Sequence, residues 1–343
     1  METVAVDRRS EANASWFAAE AGRLAEVCQA MAERFARGGR LLATGDVSDS
    51  RHVAVEFVHP VIVGKRALSA LAVTPGELAL LAEPDDMVMA FGVEIPSTPA
   101  MVIELAPPVD DPFIRQELVE TAYHVLWELV HVFIEHTERN VHDTGAASFL
   151  YPFLGERETD VESVRKDVRR SILMKAEEIG ELRRQTLTEN RDTLIAAADA
   201  MRRAGCVLAL GNGGSATDAT DLVADLERAG RAAIDLTADP AIITAVANDV
   251  GVEAIFARQV IAYGRPGDAL VALSTSGGSG NVITALREAR SRGLATIALV
   301  GYDGGQIAAE QLADHVVVTR SQHIPRIQEA QASAYHVLCE LIG

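Results

Sequence analysis

Two short segments rich in glycine and hydroxyl residues have the composition of an anion-binding site. The first, Gly211–Ser215, follows an apolar run and precedes a helical pattern, and the second, Ser274–Ser279, has the same setting. Glycine permits positive φ and lets a ligand approach the backbone closely. Amides at a helix N-terminus, together with the helix dipole, attract negative charge. Both segments therefore predict phosphate binding at a strand-to-helix turn.

The first segment alone also fits a tight turn whose serine caps the following helix. The second segment favours phosphate, because four hydroxyls in six residues make a pocket of donors that needs no lysine or arginine. No Walker lysine follows either segment, which disfavours a nucleoside triphosphate. The predicted phosphate-binding residues are Asn212, Gly213, Gly214, Ser215, Ser274, Thr275, Ser276 and Ser279.

Apolar runs alternate with helical patterns through the second half of the chain. This alternation predicts a parallel sheet covered by helices on both faces, and in such a sheet ligands bind at the carboxyl ends of the strands. The predicted strands are Val207–Leu210, Ala232–Leu236, Ala269–Leu273, Thr296–Val300 and His315–Thr319.

The chain contains a divergent internal repeat. Ala122–Leu129 (AYHVLWEL) matches Ala334–Leu341 (AYHVLCEL) at seven of eight positions, and Gly38–Gly45 parallels Ala204–Gly211. In the first copy the corresponding glycine loop is three residues shorter and the serine loop is missing. We therefore predict two copies of one α/β unit, the first shortened by about one βα unit or more.

The predicted organisation is a degenerate first domain at residues 1–135, a linker at 136–159 and a second domain at 160–343. The linker is predicted from its Pro, Gly, Asn and Asp residues. The fold class is α/β, with two three-layer αβα units built on parallel sheets.

Composition narrows the classes of partner. The formal charge of −18 repels nucleic acid and anionic lipid, so an anionic substrate must be captured by local dipoles and hydroxyls. Three widely spaced cysteines, no signal-like N-terminus and no long apolar run predict a cytoplasmic protein that neither crosses nor binds a membrane.

The second copy resembles the SIS superfamily (sugar-phosphate isomerase-type domains), and within it the phosphoheptose isomerases. The resemblance rests on Gly211–Ser215, Asn248-Asp249, Ser274–Val282, Gly301–Gly305 and Arg326–Glu329 with His336. It implies a SIS fold, ketose–aldose interconversion of a sugar phosphate, and a homo-oligomer, here a dimer of tandem chains.

The resemblance also implies a metal and catalytic set: His-x-x-x-Glu on the helix after the first loop, then Gln and His eight residues apart on the last helix. The first copy keeps this set, which predicts divalent metal ligands, with zinc preferred, at His52, Glu56, Gln116 and His124. In the second copy, Asp221 and Asp225 replace the first pair, while Gln328 and His336 remain. There a harder, oxygen-preferring metal would fit better.

The predicted catalytic residues are Glu56, His124, Asp225 and His336, with Gln328 and Asp249 on the substrate. More ordinary explanations stay open. The histidines lie in apolar helices, where a buried structural role is common, and Glu56 would then pair with a nearby cation. Asp221 and Asp225 could be solvated charges, and Asp249 a turn residue before Gly251.

The predicted function is aldose–ketose isomerisation through an enediol, specifically of sedoheptulose 7-phosphate to D-glycero-D-manno-heptose 7-phosphate. A composite site, with the metal from one copy and the phosphate loops from the other, is a further prediction. The alternative is a non-catalytic SIS module that binds sugar phosphates for regulation or assembly.

Overall fold

The computed structural model describes residues 3–60, 65–138 and 161–343. The chain packs as two compact units, Arg9–Gly180 and Glu181–Gly343, with the first residues of the N-terminal helix, through Arg8, grouped with the second. The predicted linker, 136–159, falls almost entirely outside the described residues. The sequence-based domain boundaries stay a prediction. No helix in the described ranges has the length and apolarity needed to cross a bilayer.

The second unit is built on five parallel strands in the order β6-β5-β7-β8-β9. This confirms the predicted parallel sheet. Its strands are β5 (Val207–Leu210), β6 (Ala233–Asp235), β7 (Ala269–Ser274), β8 (Ala295–Gly301) and β9 (His315–Thr319). Its helices are the end of α5 (Val161–Glu189), α6 (Arg191–Arg203), α7 (Gly214–Arg228), α8 (Pro240–Asp249), α9 (Ile255–Tyr263), α10 (Gly280–Ser291), α11 (Gly305–Ala309) and α12 (Ile324–Ile342), with a short 3-10 helix at Val252–Ala254.

The first unit has the same strand order without the last strand, β2-β1-β3-β4, again all parallel. The predicted shortening is confirmed. Its strands are β1 (Leu41–Gly45), β2 (Ala70–Val73), β3 (Met87–Phe91) and β4 (Met101–Ile103). Its helices are α1 (Thr3–Ala36), α2 (Val47–Val58), α3 (Pro75–Leu81) and α4 (Pro112–Glu138), with the start of α5.

Alternation along the strands explains why both faces of each sheet are covered. In β1, Leu41 and Ala43 belong to the large core shared with α1 and α4, whereas Leu42 packs on the opposite face with Leu78 of α3. Successive side chains of a strand point to opposite faces, so an uninterrupted apolar strand requires a layer on each side. The helices that bear the candidate site residues are therefore fixed by burial against the sheets.

Candidate functional site

The two glycine and serine segments follow adjacent strands of the second sheet. β5 pairs with β7 in parallel, with Leu210 opposite Ala272. The chain runs from β5 to the edge strand β6 and then crosses back to β7, so the strand order reverses between β5 and β7. Such a switch point leaves a crevice at the carboxyl ends of the strands. We call the two segments, Gly211–Ser215 and Ser274–Gly280, the loop pair.

The first loop turns tightly into α7. The Ser215 amide donates to the Asn212 carbonyl at 3.1 Å, and Gly213 has a φ of +58°. A Cβ at Gly211 would overlap the Ser215 backbone, so this position requires glycine. Ser215 is buried in the first turn of α7, whereas Asn212 and Gly213 are exposed. The loop therefore leaves Asn212 and Gly213 exposed just before the start of α7.

The second loop uses its hydroxyls to hold itself. The Gly277 amide donates to Ser274 Oγ and the Gly278 amide to Ser276 Oγ, both at 3.2 Å. Each hydroxyl accepts in these bonds and keeps its own proton to donate to a ligand. Ser276 lies exposed at the loop tip, Thr275 is half-buried, and Ser279 is the N-cap residue of α10.

The segment at the end of β8 and after it, which includes Gly301–Gly305, is hydrogen-bonded to the second loop and supports it. The Gly301 amide donates to the Thr275 backbone carbonyl at 3.1 Å, and the Ile307 amide donates to the Gly277 carbonyl at 3.0 Å. Gly277 has a φ of +61°, and a Cβ there would overlap the Gly304 carbonyl. The resemblance to the SIS superfamily at Gly301–Gly305 thus has a structural reason, because these residues contact and support the serine loop.

A reciprocal amide pair joins the two loops. Asn212 Nδ2 donates to Asn281 Oδ1 at 3.0 Å, and Asn281 Nδ2 donates to Asn212 Oδ1 at 2.9 Å. Asn281 is 7% exposed. Sequence reasoning included Asn281 in the serine motif but gave it no role. The structure confirms that the two loops lie side by side.

The predicted acid–base residues of the second unit also come together. His336 Nε2 lies 3.4 Å from Asp221 Oδ2 and 3.6 Å from Asp225 Oδ2, and Tyr335 donates to Asp221 Oδ2 at 2.9 Å. Burial alone would raise the pKa of Asp221, but the bonds from His336 and Tyr335 outweigh it and lower that pKa. We call Asp221, Asp225 and His336 the second-unit polar cluster.

Arg228, one turn beyond Asp225 on α7, completes this cluster and was not predicted from the sequence. Its guanidinium lies 2.6 Å from Asp225 Oδ1 and 3.9 Å from Asp221 Oδ1. The i,i+3 spacing of Asp225 and Arg228 on a helix could have signalled the pair.

The two remaining predicted substrate residues differ in exposure. Gln328 is buried, at 2% exposure, on the same helix as His336. Asp249 is exposed at the end of α8, where its carboxylate accepts from Asn248 at 2.7 Å. The contacts of Asp249 therefore fit a local turn role as well as a substrate role.

The first unit brings His52 and Glu56 of α2 against His124 of α4. The His52 and His124 Nε2 atoms are 3.2 Å apart, and Glu56 Oε1 is 3.9 Å from His52 Nε2. All three side chains are buried. Burial, followed by the neighbouring His124 ring, lowers the pKa of His52 well below its ordinary value. We call these three residues the histidine cluster.

Two acidic side chains extend the histidine cluster. Gln116 Nε2 donates to Asp49 Oδ1 at 3.5 Å. Glu120 lies midway between Gln116 and His124 on α4, and its carboxylate comes within 4.8 Å of a His52 ring nitrogen. Residues four apart share a helix face, so Glu120 could have been found from its spacing. The corresponding position of the second copy is Ala332.

The histidine cluster fits a zinc-type ion on the chemistry of its donors. Two nitrogens that each lie about 2.0–2.1 Å from a tetrahedral zinc are about 3.3 Å apart, close to the 3.2 Å observed. Neutral imidazole is the form that binds a metal, and the lowered pKa of His52 keeps it neutral near pH 7. His52, Glu56 and His124 would be the ligands, with Gln116 and Glu120 beside them.

The first unit does not repeat the loop pair. Asp46 caps α2, and its Oδ1 accepts from the amides of Ser48 and Asp49 at 2.9 and 3.2 Å. The chain's own carboxylate thus fills the helix N-terminus that the second unit leaves to its glycine loop. The prediction that only one copy keeps the loops agrees with this geometry.

Comparisons with known proteins identify the same half of the chain. A family model described as SIS domain matches residues 176–301. The phosphoheptose isomerase of Roseiflexus sp. (strain RS-1) is 42% identical over 175 residues, which are 47% of this chain and 86% of that protein. The phosphoheptose isomerase of Geotalea daltonii is 46% identical over 151 residues, or 42% of this chain and 78% of that protein.

One solved structure resembles nearly the whole chain in fold alone. It is the C-terminal domain of glucosamine-fructose-6-phosphate aminotransferase from Francisella tularensis, with a TM-score of 0.62 and 9% identity, covering 98% of this chain and 93% of that one. The sequence relatives, in contrast, match only about half of this chain. On their identity and coverage, the chain belongs to the SIS-domain family, as a relative of the phosphoheptose isomerases.

Proposed function

We propose that this protein is a sugar-phosphate isomerase and that its loop pair holds the phosphate of the substrate. The observation that carries the proposal is the reciprocal Asn212–Asn281 bond, which fixes two hydroxyl-rich helix starts side by side at the switch point. The 42–46% identity to phosphoheptose isomerases supports the same reaction class. We propose sedoheptulose 7-phosphate as the substrate and D-glycero-D-manno-heptose 7-phosphate as the product.

The phosphate would be bound by neutral donors and helix dipoles. Helices α7 and α10 both begin at the loop pair, and the N-terminus of each concentrates partial positive charge there. Ser215 and Ser276 add hydroxyl donors. Because the whole chain carries a formal charge of −18, the attraction for the phosphate has to come from these local donors and not from a basic surface.

Anchoring the phosphate leaves the far end of the sugar free to react. Ser215 and Asp221 are six residues apart on α7, which is about 9 Å of helix axis at 1.5 Å per residue. The second-unit polar cluster therefore lies further along the helix that begins at the phosphate. Remote binding of this kind orients the reacting carbons.

The reaction moves a proton between neighbouring carbons. A base removes the proton from C1 of the ketose while the C2 carbonyl oxygen gains one, which gives the enediol. Return of a proton to C2, with loss of the proton from the C1 hydroxyl, gives the aldose. In the second unit, Asp225 would act as the base and His336, 3.6 Å away, as the acid. In the first unit, Glu56 and His124 are the corresponding pair.

We also propose that the first unit binds a divalent metal, with zinc preferred. His52, Glu56 and His124 would hold it, with Gln116 beside them. Such an ion polarises a carbonyl oxygen when bound. The chain's own contribution is the buried, neutral His52 and the 3.2 Å separation of the two imidazole nitrogens.

The proposal can be tested with Ser276→Ala and a matched control, Ser291→Ala. Ser291 is an exposed serine at the far end of α10, bonded to the Glu288 carbonyl. Loss of a hydrogen bond to a charged phosphate costs about 1.5–3 kcal/mol, so we expect KM to rise about 10- to 100-fold for S276A and stay unchanged for S291A. Equal KM values for S276A and wild type would show that the loop pair does not bind the phosphate of the substrate.

A non-catalytic sugar-phosphate module is the second candidate. It is favoured by the substitution of the family's His and Glu by Asp221 and Asp225 in the second copy. Calorimetric binding of sedoheptulose 7-phosphate without turnover, with and without added zinc, would support this candidate over the isomerase.

A further inference from the structure

The two units handle charge differently at equivalent positions. In the histidine cluster, two imidazoles lie beside Glu56, with Glu120 within 4.8 Å of His52. The residue seven positions after His52 is His59, which is exposed at the end of α2. In the second-unit polar cluster, two carboxylates face one imidazole, and the residue seven positions after Asp221 is Arg228. In the second-unit polar cluster, a guanidinium pairs with the carboxylates.

Arg228 lies where it compensates the buried carboxylates. Asp221 and Asp225 are 5% and 4% exposed, and such charges are retained in an interior only when they are paired. The guanidinium contacts Asp225 at 2.6 Å, while His336 and Tyr335 contact the opposite side of the cluster. The carboxylates are therefore paired by groups of the chain itself.

From this geometry we infer that Arg228 replaces a metal ion in the second unit: it compensates Asp225 and Asp221, positions Asp225 beside His336, and excludes a divalent cation from the second-unit polar cluster. Arg228 is a positioning residue, since it acts through Asp225. The catalytic part of this inference rests on the proposed function, whereas the exclusion of metal does not.

The electrostatic reason is direct. A divalent ion held between Asp221, Asp225 and His336 would lie within a few ångströms of the Arg228 guanidinium, which is 58% exposed and already pairs with both carboxylates. Unlike lysine or histidine, arginine does not lose its charge to make room for a metal.

The test uses the full-length chain and zinc alone as the probe. His124→Ala removes a ligand of the histidine cluster, so that zinc retained by this variant must lie elsewhere. We expect H124A to bind no zinc by calorimetry and elemental analysis, and H124A/R228A to bind about one equivalent, because a nearby like charge is gone. Adding D225N to H124A/R228A should abolish that binding and so assign it to the cluster.

The conservative variant Arg228→Lys provides the control, because H124A/R228K keeps the positive charge and should bind no zinc. Zinc retained by H124A and lost in H124A/D225N would overturn the inference, since the cluster would then hold a metal with Arg228 in place. Failure of H124A/R228A to bind zinc, with an unchanged circular dichroism spectrum, would overturn the role of Arg228 in exclusion.

The catalytic part has a separate readout. R228A alone should lower kcat on sedoheptulose 7-phosphate with little change in KM, and R228K should recover part of the loss. A rise in KM with kcat unchanged would contradict the positioning role. Absence of turnover in the wild type would refute the proposed function while leaving the zinc result valid.

Discussion

Breaking the bond between the two loops is the most direct test of the phosphate site. Asn281→Ala removes the reciprocal pair with Asn212 and also the Asn281 Oδ1 acceptor for the Val282 amide at 2.9 Å. Two neutral hydrogen bonds together contribute about 1–3 kcal/mol. If phosphate binds only to aligned loops, a loss of about 2 kcal/mol corresponds to a roughly 30-fold rise in Kd.

The assay compares two variants that should lose similar amounts of folding free energy. Asn190 is 9% exposed and exchanges two hydrogen bonds with the Val318 backbone, each 3.0 Å, on the last strand of the second sheet. Asn190→Ala should lower the free energy of unfolding in urea about as much as N281A. Calorimetry with inorganic phosphate and with sedoheptulose 7-phosphate should then show weaker binding for N281A alone.

The reasoning would be refuted by equal phosphate affinity in N281A and wild type when N281A has lost stability as expected. The two loops would then act independently, and the loop pair would not be a single site. Weakening of both variants to the same extent would indicate a general loss of order rather than a specific one.

Three further predictions follow from single contacts. Gly277→Ala should destabilise the second unit by about 2–4 kcal/mol, measured by urea unfolding, because positive φ and overlap with the Gly304 carbonyl both oppose a methyl group. His124→Ala should abolish metal content and turnover and leave phosphate affinity unchanged. Zinc still bound at His52 and Glu56 in this variant would contradict the assignment of His124 as a metal ligand. Burial raises the pKa of Asp86, but hydrogen bonds from Arg40 outweigh burial and lower that pKa below its ordinary value of 3.8. Asp86→Asn should therefore lower the free energy of unfolding by about 1.5–3 kcal/mol at pH 7. The difference from wild type in urea unfolding should shrink as the pH falls below about 3.8.

The fold of the second unit was predictable because its strands and helices are locally consistent. Val207–Leu210 and His315–Thr319 have the predicted bounds, since both are short apolar runs closed by turn residues. The third strand, β7 (Ala269–Ser274), ends one residue later than predicted. Periodicity fixes the type of an element better than its ends, where the pattern fades into the loop.

The site was predictable where one motif carried the chemistry and missed where two segments had to meet. The glycine and serine loops stand out because their residues serve a single turn. The Asn281 contact depends on a partner 69 residues away. Arg228 was overlooked although it lies on the same helix as Asp225, at the i,i+3 spacing of an ion pair. Glu120 was overlooked because the resemblance supplied no acidic residue at that position.

The shorter first sheet also has a consequence for self-association. Without a fifth strand, β4 is an outer strand, and its backbone groups on one side have no neighbouring strand within the described part of that sheet. β4 is only three residues long, and short edge strands offer little template for pairing with other chains. The shortness of β4 therefore keeps the outer edge of the first sheet from becoming a starting point for aggregation.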